Sequence, residues 1–178
     1  MSMELMIIVG SVILIVLIIV ISIYNILVEK QKKIERSNAL VDVYLKKRFD
    51  LIPNLVEVCK GYSEHEKETL TKVAELRASF NNNPTNETRE ELNKVYQSLI
   101  AIAENYPKVK ASDNYLKLQK ELTNVENEIQ ASRRIYINSI TEYNNLVMKF
   151  PSAMVAKLFG FKKYELPKYD YSDVKVKM

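Results

Sequence analysis

The sequence is poor in the residues from which active sites are most often assembled. Its 178 residues include one cysteine, one histidine, three glycines and no tryptophan. A lone Cys59 excludes an intramolecular disulfide and agrees with a reducing compartment. Metal hydrolysis needs at least three converging ligands, which one histidine and one cysteine do not furnish. His65-Glu66 opens like the helix of a zinc peptidase, but the residue four positions beyond His65 is Thr69, so the second ligand is missing. Cys59 and His65 also fail as nucleophile and base on one helix, because six residues at about 100° each set them some 120° apart. So few glycines argue against a glycine-rich phosphate cradle and against a β-rich fold with many tight turns. The expectation is an all-α chain with no catalytic residue, no metal and no cofactor.

Charge is nearly balanced, with 26 basic residues against 22 acidic. The excess lies near the N-terminal apolar run and in the C-terminal tail, where Lys157, Lys162, Lys163, Lys168, Lys175 and Lys177 outnumber Glu165, Asp170 and Asp173. That pattern suits an anionic membrane leaflet better than a nucleic-acid groove. Eleven tyrosines accompany the lysines, yet Tyr115, Tyr136 and Tyr143 fall on a predicted core stripe and no nucleic-acid-binding motif is present. Neither nucleic acid nor a small-molecule substrate is expected as a partner. Carboxylate pairs such as Glu126 with Glu128 or Glu90 with Glu91 read as solvated helix faces.

What is present in abundance is one unbroken apolar run, Leu5 to Ile23. At about 1.5 Å per residue it reaches roughly 28 Å, close to the roughly 30 Å hydrocarbon core of a bilayer. A buried core helix rarely needs apolar residues on every face. A cleaved signal peptide would need a basic segment before the run and a small-x-small site after it; only Met1-Ser2-Met3-Glu4 precedes it, and Tyr24, Asn25, Ile26 and Leu27 follow. A retained single-pass span is therefore expected. Lys30, Lys32, Lys33, Arg36, Lys46, Lys47 and Arg48 all follow the run and no basic residue precedes it. By the positive-inside rule, residues 1–4 lie outside and everything beyond residue 24 is cytoplasmic.

Helical periodicity covers most of the remainder. Leu27, Ile34, Val41 and Leu45 recur at seven- and four-residue steps, so the span (residues 5–23) should run on into a bundle helix. Pro53 predicts a turn or sharp kink at Asp50–Asn54, with Asn54 as a helix N-cap. A second helix carries Leu55, Val58, Tyr62, Thr69, Val73, Leu76 and Phe80 on one stripe and ends at the loop Asn81–Asn86. A third carries Leu92, Val95, Leu99, Ile102 and Tyr106 before Pro107. A fourth, capped by Ser112, carries Tyr115, Leu118, Leu122, Val125, Ile129, Ser132, Tyr136, Ile140, Tyr143, Val147 and Phe150. The two four-residue steps around Tyr136 form a stutter, which locally unwinds a supercoil. Short connections make this an antiparallel bundle of three to four helices over residues 24–150. Residues 151–161 follow as a short amphipathic helix, either at the headgroups or on the bundle end, and residues 162–178 as a flexible tail. Membrane-interface residues are then Lys30, Lys32, Lys33, Met154, Lys157, Leu158, Phe159, Phe161, Lys162 and Lys163.

Several charged residues sit close to core stripes: Asp42, Arg48, Asp50, Glu104, Glu126, Arg133 and Arg134. Buried charges need partners, so an interhelix polar network is expected, with Arg133 or Arg134 meeting an acid from another helix. A substrate-binding pocket made from the same residues, lined by Asp50, Arg133 and Glu104, is the competing reading.

The order of short motifs resembles the LemA family of bacterial membrane-anchored helical proteins, along nearly the whole length to about Phe161. The resemblance rests on Tyr24-Asn25 with Leu27-Val28, on Val41-Asp42-Val43 with Leu45 and Lys47-Arg48, and on Asp50-Leu51-Ile52-Pro53-Asn54-Leu55-Val56. Lys60-Gly61-Tyr62 with His65-Glu66, Ala103-Glu104 with Tyr106-Pro107, Arg133-Arg134 with Tyr136, and Tyr143-Asn144 with Phe150-Pro151 follow in family order. Ile137 departs from it, standing where the family usually has asparagine, with Asn138 the nearest amide. The resemblance implies an N-terminal membrane helix, an antiparallel bundle, no established enzymatic activity, and association with membrane assemblies. The expectation is a non-enzymatic, self-associating scaffold that contacts membrane lipid and other membrane proteins and organises or shapes the membrane. Its rivals are an adaptor or regulator of a membrane protease, and an enzyme with an unrecognised polar site.

Overall fold

The computed structural model describes residues 3–58, 66–82 and 85–167. Cys59, Tyr62, His65, Asn83, Pro84 and the tail from Lys168 lie outside the described residues, as do the side chains of Glu66, Thr69 and Ile102. Among the described residues there is no strand. The helices are α1 (Met3–Asp50), α2 (Ile52–Val58), α3 (Glu66–Asn82), α4 (Asn86–Asn105), α5 (Pro107–Lys110), α6 (Asp113–Met148) and α7 (Ser152–Leu158). They form two compact units, one of residues 1–38 with 134–178 and the other of residues 39–133.

In the unit of residues 39–133, the predicted stripes are the buried ones. Val41 and Leu45 of α1, Leu92 and Leu99 of α4, and Leu118, Leu122, Val125 and Ile129 of α6 are all buried, and Phe49 of α1, outside the predicted stripe, is buried with them. Helices α2, α3 and α4 pack on one another, and the Phe49 and Phe80 rings meet edge to face at 5.3 Å. Helix α1 stops at Asp50, Leu51 forms a turn, and Pro53 falls in the first turn of α2, where its missing N–H has no intrahelical partner to lose. Asn54 therefore lies inside α2 and is not its cap. Thr85 caps α4, its Oγ1 accepting from the Thr88 amide at 3.1 Å. Ser112 caps α6 as expected, accepting from the Tyr115 amide at 3.3 Å. Pro107 ends α4 as predicted and then opens the single turn α5. This forces Tyr106 into an extended conformation and leaves its side chain 40% exposed, off the core stripe on which its spacing had put it.

In the unit of residues 1–38 with 134–178, a core of Leu27, Ile34, Ile140, Tyr143, Val155 and Ala156 is flanked by Val20, Ile23, Tyr136, Leu146, Val147, Phe161 and Tyr164. Helix directions follow from the polar contacts of each unit. Lys30 meets Glu142 and Ser37 meets Ser139, so numbers fall along α6 as they rise along α1 and the two run antiparallel. Asp42 meets Arg89 and Arg48 meets Asn93, so α1 and α4 run parallel.

Ile129 is wholly buried and Ile135 is 47% exposed, although both are isoleucines of α6. Ile129→Ala is expected to cost about 2–5 kcal/mol and Ile135→Ala less than about 0.5 kcal/mol, read from denaturant unfolding of the full chain in detergent. Equal losses at the two positions would contradict this packing.

Candidate functional site

Among the described residues Arg48 is the most deeply buried charge, only 4% exposed. It lies three residues beyond Leu45, next to Phe49, so continuing the α1 stripe carries its guanidinium inward. Nη1 donates to Glu126 at 3.0 Å and Nη2 donates to Asn93 at 3.0 Å. The guanidinium carbon lies 4.9 Å from the centre of the Tyr96 ring and 5.3 Å from that of Phe49. Glu126 is braced by Gln130 at 2.9 Å. Burial lowers the Arg48 pKa, against the pull of Glu126, and burial raises the Tyr96 phenol. Arginine stays cationic even when lowered from so high a starting value, so this cluster holds a fixed charge and does not move protons.

The sequence had singled out Arg48 and Glu126, and the structure brings them together. Asp42 pairs with Arg89, which the sequence had not marked. Asp50, Glu104 and Arg134 are exposed and Arg133 is half-buried, so the pocket imagined from Asp50, Glu104 and Arg133 has two of its three walls on the surface. The unmarked partners Arg89, Asn93 and Tyr96 step by four and three along α4, beside the Leu92–Leu99 stripe. That flanking periodicity was the available signal. Among the described residues, no three or more histidine, cysteine, aspartate and glutamate side chains converge closely enough to hold a metal ion.

A second arrangement lies where the apolar run of α1 ends. Lys30 and Lys33 both donate to one Glu142 carboxylate oxygen, at 2.9 and 3.0 Å, and Lys32 pairs with Glu35 at 2.9 Å. These three lysines, expected among headgroups, are held by acids of the protein. The two lysine hydrogen bonds keep the Glu142 carboxyl below its ordinary pKa. Beneath them Ser37 and Ser139 hydrogen-bond side chain to side chain at 2.8 Å, both buried.

Helix α7 packs here with Val155 and Ala156 inward, while Met154, Leu158 and Phe159 are exposed, as are Lys157, Lys162 and Lys163. Phe150, placed on the core stripe by its spacing, is 82% exposed beyond the end of α6. The helix expected over residues 151–161 stops at Leu158. Gly160 adopts a φ of 76°, the Phe161 amide donates to the Ala156 carbonyl at 2.9 Å, and the Gly160 amide to the Lys157 carbonyl at 3.4 Å. This is a glycine helix stop, and a left-handed residue costs glycine least. The tail expected to be flexible from residue 162 is fixed at Tyr164. The Asn144 amide donates to the Tyr164 carbonyl at 2.8 Å and its oxygen accepts from the Tyr164 amide at 2.9 Å. The Tyr164 ring meets Tyr143 edge to face at 5.4 Å, and Phe159 and Phe161 meet Tyr24 at 4.9 and 5.6 Å. The sequence carried both signals, in Gly160 directly after an apolar turn and in Asn144 beside a core tyrosine.

Two measurements check these geometries. Glu126→Gln leaves a buried guanidinium short of its counter-charge; a loss of about 2 kcal/mol is expected, below the ~3–5 kcal/mol of a fully buried pair because Glu126 is partly solvated. The contribution of Glu142 has the sign of a depressed carboxyl. It is complete above the ordinary glutamate pKa and is lost as the pH falls through the lower folded value. The protection of the Leu27–Ile34 amides against hydrogen exchange in the native chain should therefore fall to the level of Glu142→Gln only in acid.

Comparison with known proteins places this architecture. Residues 37–177 match the LemA family, a stretch that begins beyond the apolar run. Protein LemA of Metamycoplasma hominis is 28% identical over 138 residues, covering 75% of this chain and 63% of that protein. Magnetosome protein MamQ of Magnetospirillum gryphiswaldense is 34% identical over 67 residues, covering 38% of this chain and 25% of that one. The chain thus spans under two thirds of these relatives' lengths. With the family match extending over most of its length and through the helices just described, this chain belongs to the LemA family.

Proposed function

We propose that the protein is a membrane-anchored, non-enzymatic scaffold that associates with itself and with other membrane proteins at the cytoplasmic face. The observation that carries the reading is that the apolar window of α1 is long enough to cross a bilayer and is not buried by any other of the described residues. Fourteen large apolar side chains from Leu5 to Ile21 stand exposed. At about 1.5 kcal/mol each, on the order of 20 kcal/mol of apolar burial is left for lipid to supply. A core helix of a soluble protein would not leave that surface open.

The scaffold role is supported by how the polar groups are used. Arg48, Glu126, Asp42, Lys30, Lys33 and Glu142 face one another across helices as structural ties. What the chain offers outward is helix surface, and anchoring in a plane multiplies weak contacts by raising local concentration. The likeness to a magnetosome protein favours a place in a membrane assembly.

Four measurements test this. The chain should stay in the membrane pellet after alkaline carbonate extraction. Protease added to intact cells should leave everything beyond residue 30 undigested, and digestion of that portion would reverse the proposed orientation. Light scattering on the detergent-solubilised full chain should give a dimer or larger, and a strict monomer would remove self-association. Recovery of a peptidase instead of further copies of the chain after mild crosslinking would favour an adaptor of a membrane protease.

A further inference from the structure

A cleft of about 550 Å³ opens beside the end of the apolar run, all of it within the unit of residues 1–38 with 134–178. One wall is a single face of α1, with Tyr24, Val28 and Gln31 at steps of four and three. The opposite wall is the chain from Phe159 to Tyr164, turned back by Gly160, and Tyr143 lies between them. We infer that this cleft binds the phosphate of an anionic glycerophospholipid whose acyl chains lie along the unburied apolar face of α1. The inference rests on the reading of α1 as a membrane anchor.

Height, charge and continuity point to that ligand. Tyr24 follows the last apolar residue of the run, and Gln31 lies about 10 Å further along the helix axis. A headgroup layer is about 5–7 Å deep on each side of the hydrocarbon core. The cleft therefore occupies the level of lipid phosphates, with its aromatic end toward the acyl chains. Lys162 and Lys163 line it, and among the described residues no carboxylate pairs with either. Lys30 and Lys33 differ, since both share the Glu142 carboxylate. Two lysines among the lining residues suit a phosphodiester, and the Gln31 amide, donating to the Tyr164 hydroxyl at 3.4 Å, adds a polar edge at the water side. Toward the N-terminus, Val20 and Ile23 are half-buried against the core, while Ile19 and Ile21 are exposed. An acyl chain leaving the cleft finds continuous apolar surface there. A free phosphate would use the lysines but none of that surface.

Native mass spectrometry of the full chain, extracted by detergent from vesicles of equal phosphatidylglycerol and phosphatidylcholine, tests the assignment. The expected result is about thirtyfold preferential retention of phosphatidylglycerol, the size two lysines at an anionic lipid surface would give. Lys162→Gln with Lys163→Gln should abolish the preference without changing helix content, and the paired arginine substitutions should keep it. Lys157→Gln removes an exposed charge outside the cleft and should leave the preference intact. Preference surviving in the double glutamine variant, equal loss in Lys157→Gln, or displacement of the lipid by millimolar inorganic phosphate would each overturn the site. Carbonate extraction separates the two readings. A chain that stays in the membrane without headgroup preference defeats the cleft alone, whereas release of the unmodified chain defeats the anchor and the cleft with it.

Discussion

The unbroken backbone of α1 constrains everything else in the molecule. Its first turns carry apolar residues on all sides and are not covered by any other of the described residues. From Leu27 onward its pattern narrows to a stripe, with Leu27, Ile34, Ser37, Val41, Leu45, Arg48 and Phe49 buried. The other helices can gather only on this second portion. Both behaviours belong to one helix with no break between them, so the end of the apolar run fixes where packing begins.

Apolar burial supplies most of the cohesion, and the polar ties select the arrangement. Exposed pairs such as Lys47 with Glu128 add little, because solvent screens them. Their placement is more informative than their strength. Asp42 and Arg48 reach α4, while Lys30, Lys33, Ser37 and Lys47 reach α6. Within the unit of residues 39–133, rotating α1 about its axis would break the Asp42, Arg48 and Lys47 ties together. The buried Arg48 sharpens this, because an arginine without Glu126 and Asn93 would be a desolvated charge, and that penalty disfavours alternative registers more than the pair favours the native one.

The C-terminal segment follows a different logic. A helix of seven residues has too few internal bonds to persist alone. Helix α7 is held by Val155 and Ala156 in the core and by Ser152, whose hydroxyl donates to the Leu146 and Lys149 carbonyls at 2.6 and 2.9 Å. Gly160 and Asn144 then direct the chain back past Tyr24. Each supplies what a short segment lacks, namely an allowed left-handed turn and partners for the backbone at Tyr164. This places lysine and aromatic side chains beside the apolar run, where the proposed lipid contact uses them.

Helix existence and core faces were legible in the amino-acid order because they depend on local periodicity. The stripe from Tyr115 to Tyr143 needs no knowledge of its partner to be recognised, and the apolar run needs none to be seen as unsuited to water. Proline chemistry likewise showed where helices stop, at Pro53 and Pro107. Failures came where a residue's fate depended on chain direction after a helix end: Tyr106 and Phe150 kept the spacing of core residues and lost the position. Partner choice was also hidden. Seven charges near core stripes looked alike, and folding paired Arg48 with Glu126, matched Asp42 to the unmarked Arg89, and left Asp50, Glu104 and Arg134 at the surface. Periodicity is set by the 3.6-residue turn of a single helix, whereas pairing depends on the relative rotation and direction of two, a quantity that exists only once they have packed.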